Sequence, residues 1–267
     1  MGAFLTYSFL QRALGAGLFI SLACAVLGVF LILRKDAMIG DGLAHITFAG
    51  VALGLFLRMM PLAVALVFSI AASLGIMKLK ERAGLYGDTA IAIVSSSGLA
   101  LGLILATLSR NPGVALLNYL FGEILAIDTV EVVLSVALAA AVVAVIAVNY
   151  RKLMFMTFDR ESAQVAGVRV RRLDALITVL TSVTIVLGMK VVGILLVSAL
   201  IVIPAAAGLL RASSFKKAIL LACGVATASV AAGLAAAFAL DLPASGTIVL
   251  VNLILFGVLA ARRTPRA

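Results

Sequence analysis

Tryptophan is absent from this chain of 267 residues, histidine occurs once, and there are five prolines. Charged residues make up only 12% of it and hydrophobic residues 64%, against about 25% and about 45–50% in ordinary globular domains. So little polar surface excludes a soluble enzyme, and so much apolar material excludes disorder. Cys24 and Cys223 both lie inside apolar runs, which argues for small packing residues and against a disulfide or a thiolate metal site. Catalytic signatures are missing too. There is no G-x-x-x-x-G-K-[ST] to cradle ATP phosphates, no H-E-x-x-H for a protease zinc and no G-x-S-x-G for a serine nucleophile. The chain is therefore not expected to be an enzyme, and transport is the expected role. Lys and Arg number 21 against 11 Asp and Glu. With no aromatics interleaved among them, this excess does not point to nucleic acid; basic loops beside apolar spans account for it.

What is present is a series of apolar runs: residues 13–33, 38–57, 62–77, 89–108, 130–148, 176–189, 191–210, 218–240 and 247–261. They are continuous, not alternating, which excludes barrel strands, and a run of about 20 apolar residues spans a bilayer as a helix. The expected fold class is all-α: a polytopic integral membrane protein with eight to nine transmembrane helices, organised as one transmembrane unit over 1–267. The doubt over the count lies in the short 188–193 connection, where a paired half-helix would remove one crossing. No basic residue precedes Arg12, so the first run reads as a retained span and not as a cleaved signal.

Alternate loops differ sharply in charge. One set carries Arg34, Lys35, Lys78, Lys80, Arg82, Arg151, Lys152, Arg160, Arg169, Arg171, Arg172, Arg211, Lys216, Lys217, Arg262, Arg263 and Arg266; the other carries only Arg12, Arg58, Arg110 and Lys190. Basic loops stay in the cytosol, which places the N-terminus outside and the C-terminus inside a cell membrane crossed nine times. Two loops are longer than a turn. Residues 109–129 face outward and include an apolar stretch, 114–126, with the pattern of a re-entrant or interfacial helix. Residues 151–173 face the cytosol; there Asp159 can cap a short helix, Glu161 falls in its first turn and Gly167 stops it.

Ionisable groups within spans cost about 2.5–3.5 kcal/mol each on insertion scales, so each needs a reason. Asp41 and the single histidine, His45, are four residues apart and share one helix face. A carboxylate oxygen and an imidazole nitrogen offered together suit a borderline divalent metal such as zinc. The competing reading is a helix cap at Asp41 followed by a hydrogen-bonded core histidine, and spacing alone does not separate the two. Gly50 and Gly54, like Gly98 and Gly102, are spaced for close helix approach in lipid; packing is their expected role, a ligand contact the alternative. Ser95, Ser96 and Ser97 are expected to bond back to their own helix or a neighbour, with a polar pathway lining as the alternative. Glu123, Asp128 and Glu131 form an outer acidic rim, either solvated or serving as a funnel or docking surface.

Taken together, FLILRKDAMIGDGLAH at residues 30–45, FAGVALG at 48–54, GDTAI at 87–91, YLFG at 119–122, the segment from Phe158-Asp159 to Gly167, and VGILLVSALIVIPAA at 192–206 resemble the permease subunits of zinc, manganese and iron ABC importers. The likeness runs in order over essentially the whole chain. It implies a homodimer around one pathway, two separate ATP-binding ABC subunits on the cytosolic face, and an extracytoplasmic metal-binding protein that delivers the ion. Asp41 and His45 match positions at which the family contacts metal in transit, and the segment 155–172, with Asp159, Glu161, Val165 and Gly167, matches its coupling helix. Lipid is the remaining partner, and no tightly bound cofactor is implied beyond the transported Zn2+, Mn2+ or Fe2+. D-G-L-A-H followed by F-A-G-V resembles the zinc-uptake branch, because many manganese permeases have proline where Ala49 stands. The alternatives are a manganese, iron or chelated-metal permease and, from another class, an ion-coupled secondary transporter that would need no ATPase.

Overall fold

The computed structural model describes residues 7–83 (82 and 83 by backbone alone), 87–109, 119, 120, 122 and 127–261. Among them the chain is helical: α1 Ser8–Leu33, α2 Ile39–Phe56, α3 Pro61–Ala83, α4 Gly87–Leu108, α5 Thr129–Phe158, α6 Arg160–Val165, α7 Val170–Val192, α8 Ile194–Arg211, α9 Phe215–Leu240 and α10 Ala244–Ala261. All but α6 are long and apolar enough to cross a membrane, which makes nine such helices among the described residues. Lipid offers backbone groups no water, so a continuous apolar run has to satisfy its N–H and C=O groups internally as a helix.

Local chemistry sets the breaks. Pro61 opens α3, where its missing N–H costs nothing. The Ser214 side chain accepts from the Lys217 N–H at the head of α9. At the doubtful 188–193 connection the chain makes two full helices and no paired half-helix. Gly193 alone separates α7 from α8, with φ 87° and ψ 155°, a conformation open only to glycine. Val192 buries its backbone against Gly122, whose Cβ, were there one, would lie 2.5 Å from the Gly193 nitrogen. The proposed re-entrant stretch 114–126 falls largely outside the described residues.

Two groups of helices share one apolar core. In one, α1 packs against α5, α8 and α9, and α10 closes over α8 and α9. In the other, α2 packs against both α3 and α4. The two join where α3 meets α7 and where α2 meets α7 and α8. Helices in lipid gain nothing from excluding water, so contact depends on how closely their backbones can approach. Gly28 sits so near α8 that an added Cβ would lie 1.9 Å from the Ile201 carbonyl oxygen. Both G-x-x-x-G pairs are used in this way. Gly50 and Gly54 meet Ala65 and Pro61 of α3, while Gly98 and Gly102 meet Ile46 and Phe48 of α2. Cys24 is buried and both cysteines are free.

Gly28→Ala should therefore push α1 and α8 apart and cost about 1–3 kcal/mol, as overpacking does. Gly75→Ala, whose Cβ meets nothing within 4 Å, should instead be neutral or stabilise by up to about 1 kcal/mol, since alanine suits a helix interior better than glycine. Unfolding of the detergent-purified protein checks both; equal effects would remove the close-approach argument.

Candidate metal pathway

The first two turns of α2 carry the pair singled out by its spacing. Met38 is the N-cap and makes no side-chain cap bond, which leaves Asp41 in the first turn, where the positive end of the helix favours a carboxylate. His45 Nε2 lies 3.6 Å from Asp41 Oδ2, and the two side chains are 35% and 52% exposed. Met38, not Asp41, therefore stands at the N-cap, and His45 is partly exposed. Two donors about 2.0–2.1 Å from one tetrahedral ion stand about 3.4 Å apart, so the observed separation is within reach of a shared ion.

The neighbours of α2 frame this face. A Cβ on Gly40 would meet Ile201 of α8, and one on Gly42 would meet Ile91 and Ser95 of α4. At about 100° per residue, Asp41 falls between those two contacts, and His45 lies one turn further along. The pair thus sits in the sector of α2 that opens between α4 and α8. Of the three serines only Ser95 is brought against α2. Ser96 and Ser97 are exposed, and the Ser97 hydroxyl donates to the Ile93 carbonyl at 2.8 Å. Among the described residues no group of three or more His, Cys, Asp or Glu is placed to hold a metal, so one copy offers two donors here and no closed cage.

The acidic residues at the far end have structural partners. Asp128 caps α5 in a capping box in which Glu131 accepts from the Asp128 N–H at 3.1 Å. Glu131 also pairs with Lys190 of α7 at 2.5 Å and is only 14% exposed, so it is a partnered carboxylate and not a solvated one. Glu123 lies outside the described residues.

The segment after α5 forms the short helix that its sequence suggests. Asp159 accepts from the Ser162 N–H at 2.9 Å, and hydrogen bonding from Ser162 holds its carboxyl below the usual range. Gly167 turns the chain at φ +80°. Ala163 seats α6 against the bundle, whereas Phe158 is 66% and Val165 91% exposed. Such exposure at the end of a bundle is unusual for a valine and a phenylalanine together, and Glu161 is exposed beside them.

Beneath α6 lies a feature that sequence reasoning missed. Asp174, in the first turns of α7, is 4% exposed. One of its carboxylate oxygens pairs with Arg34 at the end of α1, and the other accepts from Arg160, the first residue of α6, at 2.5 Å. Asp36 pairs with Lys80 of α3 and stands 3.9 Å from Arg34. These groups line a cleft of about 440 Å³. The single carboxylate following Arg171 and Arg172 was the available signal, but its partner Arg34 is 140 positions away.

A bundle of membrane-length helices with a two-donor face and an amphipathic excursion at its basic end defines a class of membrane transporter. The chain belongs to the ABC 3 transport family, whose profile matches residues 6–262. It is 32% identical over 94% of its length to the manganese transport system membrane protein MntC of Listeria innocua, covering 89% of that protein. To the high-affinity zinc uptake system membrane protein ZnuB of Haemophilus influenzae it is 36% identical, over 75% of this chain and 77% of that one. Among solved structures, PsaBC from Streptococcus pneumoniae in complex with Fab aligns at a TM-score of 0.86 and 31% identity, covering 97% of this chain and 93% of that chain. The protein is a multi-pass membrane permease of a metal-ion ABC importer.

Asp174→Ala should cost about 3–5 kcal/mol, because it removes the closest counter-charge of the largely buried Arg34, leaving Asp36 at 3.9 Å, and unties Arg160 as well. Arg171→Gln, which breaks the exposed 3.2 Å pair with Glu81, should cost no more than about 1 kcal/mol. Thermal unfolding in detergent distinguishes them, and equal losses would show that the Asp174 pairing contributes little.

Proposed function

We propose that the chain is the membrane subunit of an ATP-driven importer of a divalent transition metal, zinc in the first place, and that Asp41 and His45 handle the ion in transit. The observation that carries this reading is the Asp41–His45 pair, one carboxylate and one imidazole 3.6 Å apart on the face of α2 open between α4 and α8. The whole chain acts as a single permease unit. Two copies related by a two-fold axis present four donors, two oxygens and two nitrogens, where one copy presents two. Closed cages of four thiolates hold zinc too tightly for passage; a mixed and movable set lets it go. A separate metal-binding protein delivers the ion at the outer face, and two ATP-binding subunits act at the other.

The excess of Lys and Arg at one end of the bundle supports placing that end, with the C-terminus, in the cytosol and the N-terminus outside. On this reading α6 is the coupling helix. It offers Val165 and Glu161 to the ATPase, and Arg160 ties it through Asp174 to α1 and α7. The choice of zinc rests on Ala49. Manganese is the second reading, favoured by relatives that align over nearly the full chain, such as the manganese transport system membrane protein MntC. An N/O site binds zinc more tightly than manganese on intrinsic affinity, so manganese import would need selection at the delivery protein.

Asp41→Ala and His45→Ala should each reduce metal uptake by the reconstituted three-component system by more than about tenfold while leaving membrane insertion and assembly intact. Normal uptake by both variants would overturn the assignment of the pair. In the same assay, excess unlabelled zinc should suppress uptake more than manganese does, and the reverse order would select the second reading. Glu161→Arg together with Val165→Glu should leave ATP hydrolysis running while metal uptake is lost. Undiminished transport by that variant would make α6 a surface element only.

A further inference from the structure

From a second cavity at the basic end we infer a site for an anionic phospholipid, holding the head-group phosphate between the end of α5 and the start of α7. The cavity, about 480 Å³, is lined by Asn149 and Lys152 of α5, Gly167 of the turn after α6, and Arg169, Arg172 and Leu173. Its volume falls in the range of small-molecule sites, about 300–1,000 Å³. Its charge differs in kind from that of the cleft around Asp174. There every carboxylate is matched by a cation, and Asp36, Glu81 and Asp174 stand among the lining groups. Here three cations line the wall with no carboxylate among them. Among the described residues, Lys152, Arg169 and Arg172 have no ion-pair partner.

Depth places this cavity at the membrane boundary. The 30 residues of α5 extend about 45 Å at 1.5 Å per residue, well beyond a hydrocarbon core of about 30 Å. At the far end of α5 the Glu131–Lys190 pair marks one edge of that core. About 20 residues further on the helix reaches Asn149 and Lys152, which puts them at head-group level. The approach from the membrane is apolar. Val148 is 84% exposed and lies one turn before Lys152, as Val145 does before Asn149, so each pair shares a face of α5. An acyl chain lying along Val145 and Val148 therefore leads its phosphate to Lys152, with Arg169, the N-cap of α7, and Arg172 in its first turn closing from the other side. Basic pockets between helices at a membrane surface bind acidic head groups in this way. The ATPase-facing residues assigned above, Glu161 and Val165, do not line this cavity.

The full-length permease, purified in detergent, delipidated and titrated with phosphatidylglycerol, tests the assignment by native mass spectrometry, with no metal or nucleotide present. Retention is read independently of transport, so it stands or falls separately from the importer reading. The expected result is one phosphatidylglycerol retained per copy and phosphatidylcholine not retained. Lys152→Gln and Arg172→Gln should each weaken retention about fivefold, and Arg172→Lys should restore it. Arg171→Gln, outside the cavity and paired with Glu81, should change it by less than about twofold. Equal retention of phosphatidylcholine, or an equal loss in Arg171→Gln, would reduce the site to diffuse surface charge and overturn the proposal. Displacement by millimolar sodium phosphate would make it a free-anion site, and displacement by the ATP-binding subunit would make it part of that interface; either also overturns it.

Discussion

In hydrocarbon no water is at hand to take up a free N–H or C=O, and no water is released when two helices meet. The first condition makes each membrane-length apolar run among the described residues a helix with its backbone bonded internally. The second leaves packing to decide which helices touch. Both are visible at Gly28, where α1 comes so close to α8 that an added methyl would lie 1.9 Å from a carbonyl oxygen. The same economy of volume at Gly42, Gly98 and Gly102 seats α4 on α2. That packing places α4 beside the face of α2 that carries the Asp41–His45 pair.

Against this background the few ionic groups sort by how they are compensated. Asp174 is buried and gives one oxygen to each of two guanidinium groups, which makes it a tie between α1, α6 and α7. Asp36 and Lys80 repeat the device between the α1–α2 connection and α3. Glu131 and Lys190 join α5 to α7 at the opposite end. Asp41 differs from these three: it is half-exposed, and among the described residues its ion-pair partner is the His45 imidazole 3.6 Å away, with no Lys or Arg beside it. A structural carboxylate in a membrane protein finds a counter-charge within its own fold; one that keeps its oxygens available is suited to a passing cation.

The arrangement also gives the basic end two distinct surfaces. Around Asp174 positive and negative groups neutralise one another and fix α6 to the bundle. Beyond it, Lys152, Arg169 and Arg172 remain uncompensated beside an exposed apolar stripe. The basic residues that the sequence assigns to that side are therefore not alike: Arg34 and Arg160 lock helices together, whereas Lys152, Arg169 and Arg172 line a cavity without a carboxylate.

Much was legible in the sequence because it depends on near neighbours. Nine apolar runs became nine membrane-length helices, the Asp159–Gly167 pattern became a capped six-residue helix, and Asp41 and His45 share a face because a helix repeats nearly every four residues. Even the doubt at 188–193 turned on one local fact, the positive φ that Gly193 adopts. The rest lay with the tertiary structure. Asp174 meets Arg34 across 140 positions, Glu131 is a partnered residue only because α7 brings Lys190 to it, and the face of α2 that carries Asp41 and His45 is framed only because α4 and α8 pack on its flanks. Periodicity along the chain determines which side of each helix is polar. What that side faces is decided by which backbones can approach closely enough to pack, and no local pattern carries that information.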